Sequence, residues 1–143
     1  MIKKEIVINS DVKKVWKVFS QLENWPKWGH YILSAKWLSG KKWKTNSTFI
    51  QKIKGFLFFK VYSSKCRVLK TEKYRLIKWE GTRKLIQGVH LLKFEKIGSK
   101  TKFSNIEYFK GPLAPFIYPF IKKRFELYYE KFNKGLKREV ANK

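Results

Sequence analysis

Ile2, Ile6 and Ile8 make a short β-branched run at the start of the chain, separated by lysine and glutamate, which predicts a first strand. Asn9-Ser10-Asp11 then offers a helix start, with Ser10 expected as the N-cap and Asp11 at the positive end of the helix dipole. Val12, Val15, Trp16 and Phe19 recur at three- and four-residue spacing, so this helix has one apolar face while Lys13, Lys14 and Lys17 point away. In Asn24-Trp25-Pro26-Lys27-Trp28-Gly29, Pro26 suits the first turn of a second short helix and Gly29 its end.

From Ile32 to Phe109 the texture changes to β-branched and aromatic runs of strand length, broken at Ser39-Gly40, Gly55, Thr71-Glu72, Gly81 and Gly98-Ser99. Six strands are predicted: Ile32–Leu38, Ser47–Lys54, Phe58–Leu69, Tyr74–Gly81, Ile86–Lys96 and Thr101–Phe109. Gly111-Pro112 ends the meander. Leu113, Ile117, Ile121, Phe125, Tyr128, Phe132, Leu136 and Val140 then mark the apolar stripe of a long final helix, with Pro119 a candidate kink in its first half. The predicted class is α+β: a seven-stranded curved antiparallel sheet around a long C-terminal helix, with two short helices after the first strand. Only a sheet curled round that helix buries every apolar face, and such a half-barrel leaves room between sheet and helix. No repeat or low-complexity linker interrupts the order, so residues 1–143 are expected to form one domain.

Composition agrees with a folded core: 43% of the 143 residues are apolar and 17% aromatic, despite 34 basic residues against 10 acidic ones and a net charge of +24. The amino terminus lacks the apolar stretch of a secretory signal, so a cytoplasmic protein is expected. Gly111 to Ile121, the longest mostly apolar window, carries three prolines and is far short of a bilayer span. Cys66 has no partner for a disulfide and only His30 and His90 as soft companions, which matches no zinc spacing. Glycine-rich phosphate loops and nucleophile elbows are missing, so neither metal nor cofactor is expected.

Several strings, taken in order, carry a resemblance to a known family: Ile6-Val-Ile-Asn-Ser10 leading into Val15-Trp16, Glu23-Asn-Trp-Pro-Lys-Trp28, Lys78-Trp-Glu-Gly81, Gly88-Val-His-Leu-Leu-Lys-Phe94 and Glu107-Tyr-Phe-Lys-Gly-Pro-Leu113. Together they resemble the START-like, or Bet v 1-like (SRPBCC), superfamily over nearly the whole chain, closest to its polyketide cyclase/dehydrase and coenzyme Q-binding branch. The resemblance implies a helix-grip fold whose cavity holds hydrophobic or amphipathic small molecules. It does not name the molecule, because members include lipid and quinone carriers, cyclases and ribosome-associated proteins.

Strand alternation selects candidate site residues. His90, Leu92 and Phe94 share one face of their strand, and Phe103, Asn105, Glu107 and Phe109 share one face of the next, so if Phe94 and Phe103 point inward His90 and Glu107 do too. Ile77 and Trp79 pair in the same way, as does Phe49 with Ile53. His90 and Glu107 are then the candidates to orient, or exchange a proton with, the polar end of a ligand whose apolar body meets Trp79, Phe49, Phe120, Tyr128 and Phe132. The competing expectation is structural: a histidine and a carboxylate satisfying each other or the backbone, and aromatics that are plain core.

Five of the basic residues are arginines, which leaves 29 lysines. Lysine gives a diffuse field where base-edge readout favours the arginine fork, so sequence-specific DNA recognition is disfavoured. Lys41-Lys42-Trp43-Lys44, Lys52 to Lys54 and Lys122-Lys123-Arg124 could attract RNA, a ribosome or an anionic membrane. Phe116, Ile117, Tyr118, Phe120 and Ile121 beside those last charges suit either a membrane edge or, as packing favours, a plug closing the cavity mouth. The leading expectation is a non-enzymatic small-molecule binder. The alternatives are a basic module associating with RNA, ribosome or membrane, and a cyclase or dehydratase using His90 or Glu107.

Overall fold

The computed structural model describes residues 1–143. The first strand, β1 (Ile2–Ile8), runs into helix α1 (Val12–Phe19), a 3-10 turn (Leu22–Asn24) and helix α2 (Trp25–Trp28). Six strands follow, β2 (Ile32–Ser39), β3 (Thr48–Lys54), β4 (Val61–Glu72), β5 (Leu76–Gly81), β6 (Gln87–Ile97) and β7 (Lys100–Lys110), before helix α3 (Ala114–Ala141). The sheet is antiparallel throughout in the order β1-β7-β6-β5-β4-β3-β2, so the first strand crosses over to pair with the last. No helix is long and apolar enough to cross a membrane.

Helix α1 forms for the reasons its pattern gives: Val15, Trp16, Val18 and Phe19 are buried, and the lysines lie outside. Its cap differs from expectation. Asp11, rather than Ser10, is the N-cap, and its carboxylate accepts the Lys14 amide at 2.9 Å. Both types can cap, but the Ser10 amide is tied back to the Ile8 carbonyl at 2.8 Å, which carries the chain one residue further before the helix turns.

Phe19 is the hub of the core. Its ring lies within 5.2–6.2 Å of Trp25, Phe94, Trp43, Phe103 and Phe132, drawing α1, α2, the sheet and α3 together. Two indoles are satisfied by the end of α1, Trp25 donating to the Phe19 carbonyl and Trp43 to that of Ser20, each at 2.7 Å. Trp43 adopts a left-handed backbone (φ 64°), which turns its ring inward out of the lysine cluster around it. On α3, Gly135 lets the helix close on α2: a Cβ there would lie 1.9 Å from the Trp28 carbonyl oxygen. The helix runs through Pro119 as one element.

The main boundary error is at β4, expected to begin at Phe58. The strand begins at Val61, because Leu57 turns left-handed (φ 55°) and the Phe59 amide bonds the Phe56 carbonyl at 3.0 Å, making residues 55–60 a protruding loop. Tyr74, expected at the head of β5, likewise sits in a turn (φ 69°).

Candidate functional site

The aromatic packing fills only one end of the space between sheet and helix. The other end holds a cavity of about 560 Å³, within the roughly 300–1,000 Å³ common for small-molecule sites. Its walls come from the inward faces of β3 to β7, the loops 55–60 and 82–86, Tyr31, and the first four turns of α3. Sixteen of the 26 lining residues are hydrophobic.

The polar groups gather at one place on this wall. Register sets Trp79 of β5 opposite His90 of β6, and His90 opposite Glu107 of β7, so the three side chains stand side by side. The His90 ring lies 4.9 Å, centroid to centroid, from both Trp79 and Tyr129. Tyr129 reaches in from α3 and donates its hydroxyl to Glu107 Oε1. Glu107 Oε2 lies 3.7 Å from His90 Nδ1. Room for that carboxyl depends on Gly88, where a Cβ would stand 2.3 Å from Oε2.

Behind this group runs a buried polar chain. His90 Nε2 meets Asn105 Oδ1 at 2.6 Å, Asn105 donates to Asn133 Oδ1 at 3.3 Å, and Asn133 donates to the Lys4 carbonyl at 3.0 Å. With the Asn105 amide oxygen facing His90, Nε2 carries the ring proton and Nδ1 presents a lone pair to Glu107. Burial sets the charge states. Desolvation drives the His90 pKa down to about 4 against an upward pull from the Asn105 bond. Desolvation pushes Glu107 up to about 8, outweighing the opposing Tyr129 bond. Both are therefore neutral at pH 7, and Glu107 is a carboxylic acid whose proton can be donated. Tyr31 and Tyr129 are raised well above the ordinary phenol range, chiefly by burial and then by the charge Glu107 would carry.

Cys66 and Gln51 also line the wall. Burial pushes the Cys66 thiol up to about 12, which leaves it protonated and a poor nucleophile. Gln51 donates weakly to Cys66 Sγ at 3.9 Å, while its own Oε1 has no hydrogen-bond partner. No three His, Cys, Asp or Glu side chains come together in a way that could hold a metal ion.

The twelve candidates from the sequence thus divide. Trp79, His90 and Glu107 meet on the cavity wall. Asn105 stands behind His90 as its hydrogen-bond partner. Phe49, Ile77, Leu92, Phe94, Phe103 and Phe132 point inward as alternation requires, but they belong to the packed core and do not line the cavity. Tyr128 stacks on Tyr31 at 4.8 Å and donates to the Gly55 carbonyl at 2.7 Å, supporting the loop at the mouth. Phe120 is a correction: it is 76% exposed on the outer face of α3. Of the side chains expected to plug the mouth, Ile117 and Ile121 line the cavity, whereas Phe116 and Phe120 lie off that stripe and are exposed. Tyr129 and Gln51 were missed although both were legible: Tyr129 follows Phe125 by four residues, and Gln51 alternates between Phe49 and Ile53.

A curved antiparallel sheet gripping one long helix, with an apolar cavity between them, defines a helix-grip, Bet v 1-like fold. The model of the polyketide cyclase/dehydrase and lipid transport family matches residues 2–141, and the chain belongs to that family. A Thermus thermophilus protein, TTHA0849, superposes with a TM-score of 0.80 at 12% identity, over 99% of this chain and 97% of that one. The ZhuI aromatase/cyclase from Streptomyces sp. R1128 gives 0.77 at 7% identity, over 98% and 92%. A hypothetical protein, jhp0584, from Helicobacter pylori gives 0.78 at 15%, over 97% and 86%. At these identities the likeness establishes the fold alone. No curated protein matches the chain in sequence.

Proposed function

We propose that this one-domain cytoplasmic protein binds and carries a hydrophobic or amphipathic small molecule of the lipid, quinone or polyketide type in the cavity between sheet and α3. The observation that carries this reading is a cavity of about 560 Å³, mostly apolar, with the buried Glu107 carboxyl on its wall. The apolar body packs on Ile53, Phe56, Phe109, Ile117, Ile121 and Phe125. The polar end is uncharged: Glu107 donates a hydrogen bond to a carbonyl or hydroxyl oxygen, and the free Gln51 Oε1 accepts one from a hydroxyl.

Native mass spectrometry of protein purified without detergent, with titrations of a fluorescent fatty alcohol and a short-chain quinone, tests the proposal. A co-purified mass or saturable binding that Ile117→Trp weakens by narrowing the cavity is expected. Failure of every probe, with no co-purified mass, overturns it.

A cyclase or dehydratase is the second reading, favoured by one observation. Glu107 and His90 are adjacent carboxyl and imidazole groups with pKa values moved past each other, a pairing suited to proton transfer. Under that reading a turnover found with a polyketide-like substrate falls in Glu107→Gln, while the affinity for that substrate is retained.

A further inference from the structure

The first half of α3 presents two unlike faces. Ile117 and Ile121 turn into the cavity, whereas Phe116 and Phe120, one turn apart, are 72% and 76% exposed. Across the opening, loop 55–60 holds Phe58 at 98% exposure, and loop 82–86 holds Leu85 at 60%. These segments surround one mouth: Leu57, Leu85 and Leu113 all line the cavity, and the Leu113 amide bonds the Leu85 carbonyl at 3.0 Å. Single exposed apolar side chains are ordinary. Four large ones around one opening, none of them packed against the core, mark a surface that meets something apolar.

Charge says what kind of surface it meets. Segments 54–62, 82–86 and 111–124 carry Lys54, Lys60, Arg83, Lys84, Lys122, Lys123 and Arg124 and no acidic residue; all 10 acidic residues lie elsewhere. Arg124 and Lys60 stand together beside the loop that carries Phe58. Aromatic and aliphatic tips ringed by lysine and arginine match the boundary between acyl chains and anionic headgroups, where the rings enter and the cations meet phosphate. A single-stranded nucleic acid would use stacking aromatics and positive charge, but it gives Leu85 nothing to enter.

We propose that the cavity mouth docks on an anionic bilayer, with Phe58, Leu85, Phe116 and Phe120 inserted to the headgroup boundary. Docked in this way, the mouth opens toward the acyl layer and a hydrophobic molecule could pass without crossing water. This goes beyond the proposed carriage and is measured separately from it, since vesicle binding requires no cavity ligand.

The test is flotation with vesicles of phosphatidylcholine alone and of phosphatidylcholine mixed with phosphatidylglycerol. Wild-type protein is expected to float with the mixed vesicles and much less with the neutral ones. The triple variant Phe58→Ser, Phe116→Ser, Phe120→Ser should keep its denaturation midpoint, because these side chains are exposed, yet lose about tenfold or more in partitioning. Lys60→Glu, Lys84→Glu, Arg124→Glu should lose as much, whereas Lys41→Glu, Lys42→Glu, Lys44→Glu, at the opposite end of the sheet, should lose clearly less. Wild-type-like flotation of the serine variant overturns the proposal. So does an equal loss in both charge-reversed variants, which would mean diffuse attraction, or displacement from vesicles by single-stranded RNA that the serine variant binds as tightly as wild type.

Discussion

Replacing Glu107 by glutamine isolates the buried acid. Glutamine keeps the acceptor for Tyr129 and a donor toward His90, so the fold should tolerate it, but it cannot ionise. In the wild-type protein the folded-state pKa of Glu107 is raised from 4.5 to about 8. Its stabilising contribution is therefore full below the unfolded value and is lost as pH rises toward the folded value, because the unfolded chain sheds a proton that the folded chain keeps. His90 works the other way: its folded pKa is lowered from 6.5 to about 4, so over that interval stability rises with pH. The two effects largely offset one another between the unfolded values, and above 6.5 the remaining His90 contribution fades and is common to both proteins. From there to pH 8 only Glu107 contributes to the difference, over about 1.5 pH units at about 1.4 kcal/mol per unit, a loss of about 2 kcal/mol. Urea unfolding at pH 6.5, 7.2 and 8.0 measures it: wild type should weaken by that amount relative to Glu107→Gln, at unchanged m-value. Lysines, His30 and the amino terminus are common to both proteins and drop out of the difference. Parallel profiles for the two proteins would refute the reasoning, since they would mean that Glu107 is already ionised in the fold.

Gly88→Ala should cost about 1–3 kcal/mol in the same assay, because its methyl group displaces the Glu107 carboxyl; it should also flatten the pH dependence. Asn133→Ala should cost about 1–3 kcal/mol by leaving the Asn105 amide buried without its acceptor, seen as a lower urea midpoint. Cys66 should resist iodoacetamide at pH 8 in the folded protein and react promptly in urea, where both its burial and its raised pKa disappear; prompt labelling of the native state would show that the cavity wall opens.

Much of the architecture was legible because it rests on local periodicity. A period of two put His90, Phe94, Phe103 and Glu107 on one face, and the register bore that out, pairing Phe94 with Phe103 and His90 with Glu107. The stripe on α3 likewise found Ile121, Phe125, Phe132 and Leu136, all buried. Periodicity says which way a side chain points, but it does not say whether another side chain meets it. Phe49 and Trp79 point inward alike, yet the first is packed against Trp25 and Trp37 and the second also faces open space. That difference depends on where α3 crosses a curved sheet, a distance set by the whole core and by contacts as particular as Gly135 on Trp28.

By itself, then, the chain's pattern determined the element order, the faces and the identity of the two titratable residues on the inner wall, since each of these follows from spacing of two or 3.6 residues. Only the tertiary structure decided that one end of the grip is packed and the other hollow, that burial raises the Glu107 pKa, and that Phe58 and Phe120 stand exposed outside the cavity. Those are properties of volume and dielectric, which residues distant in sequence create together and no local pattern encodes.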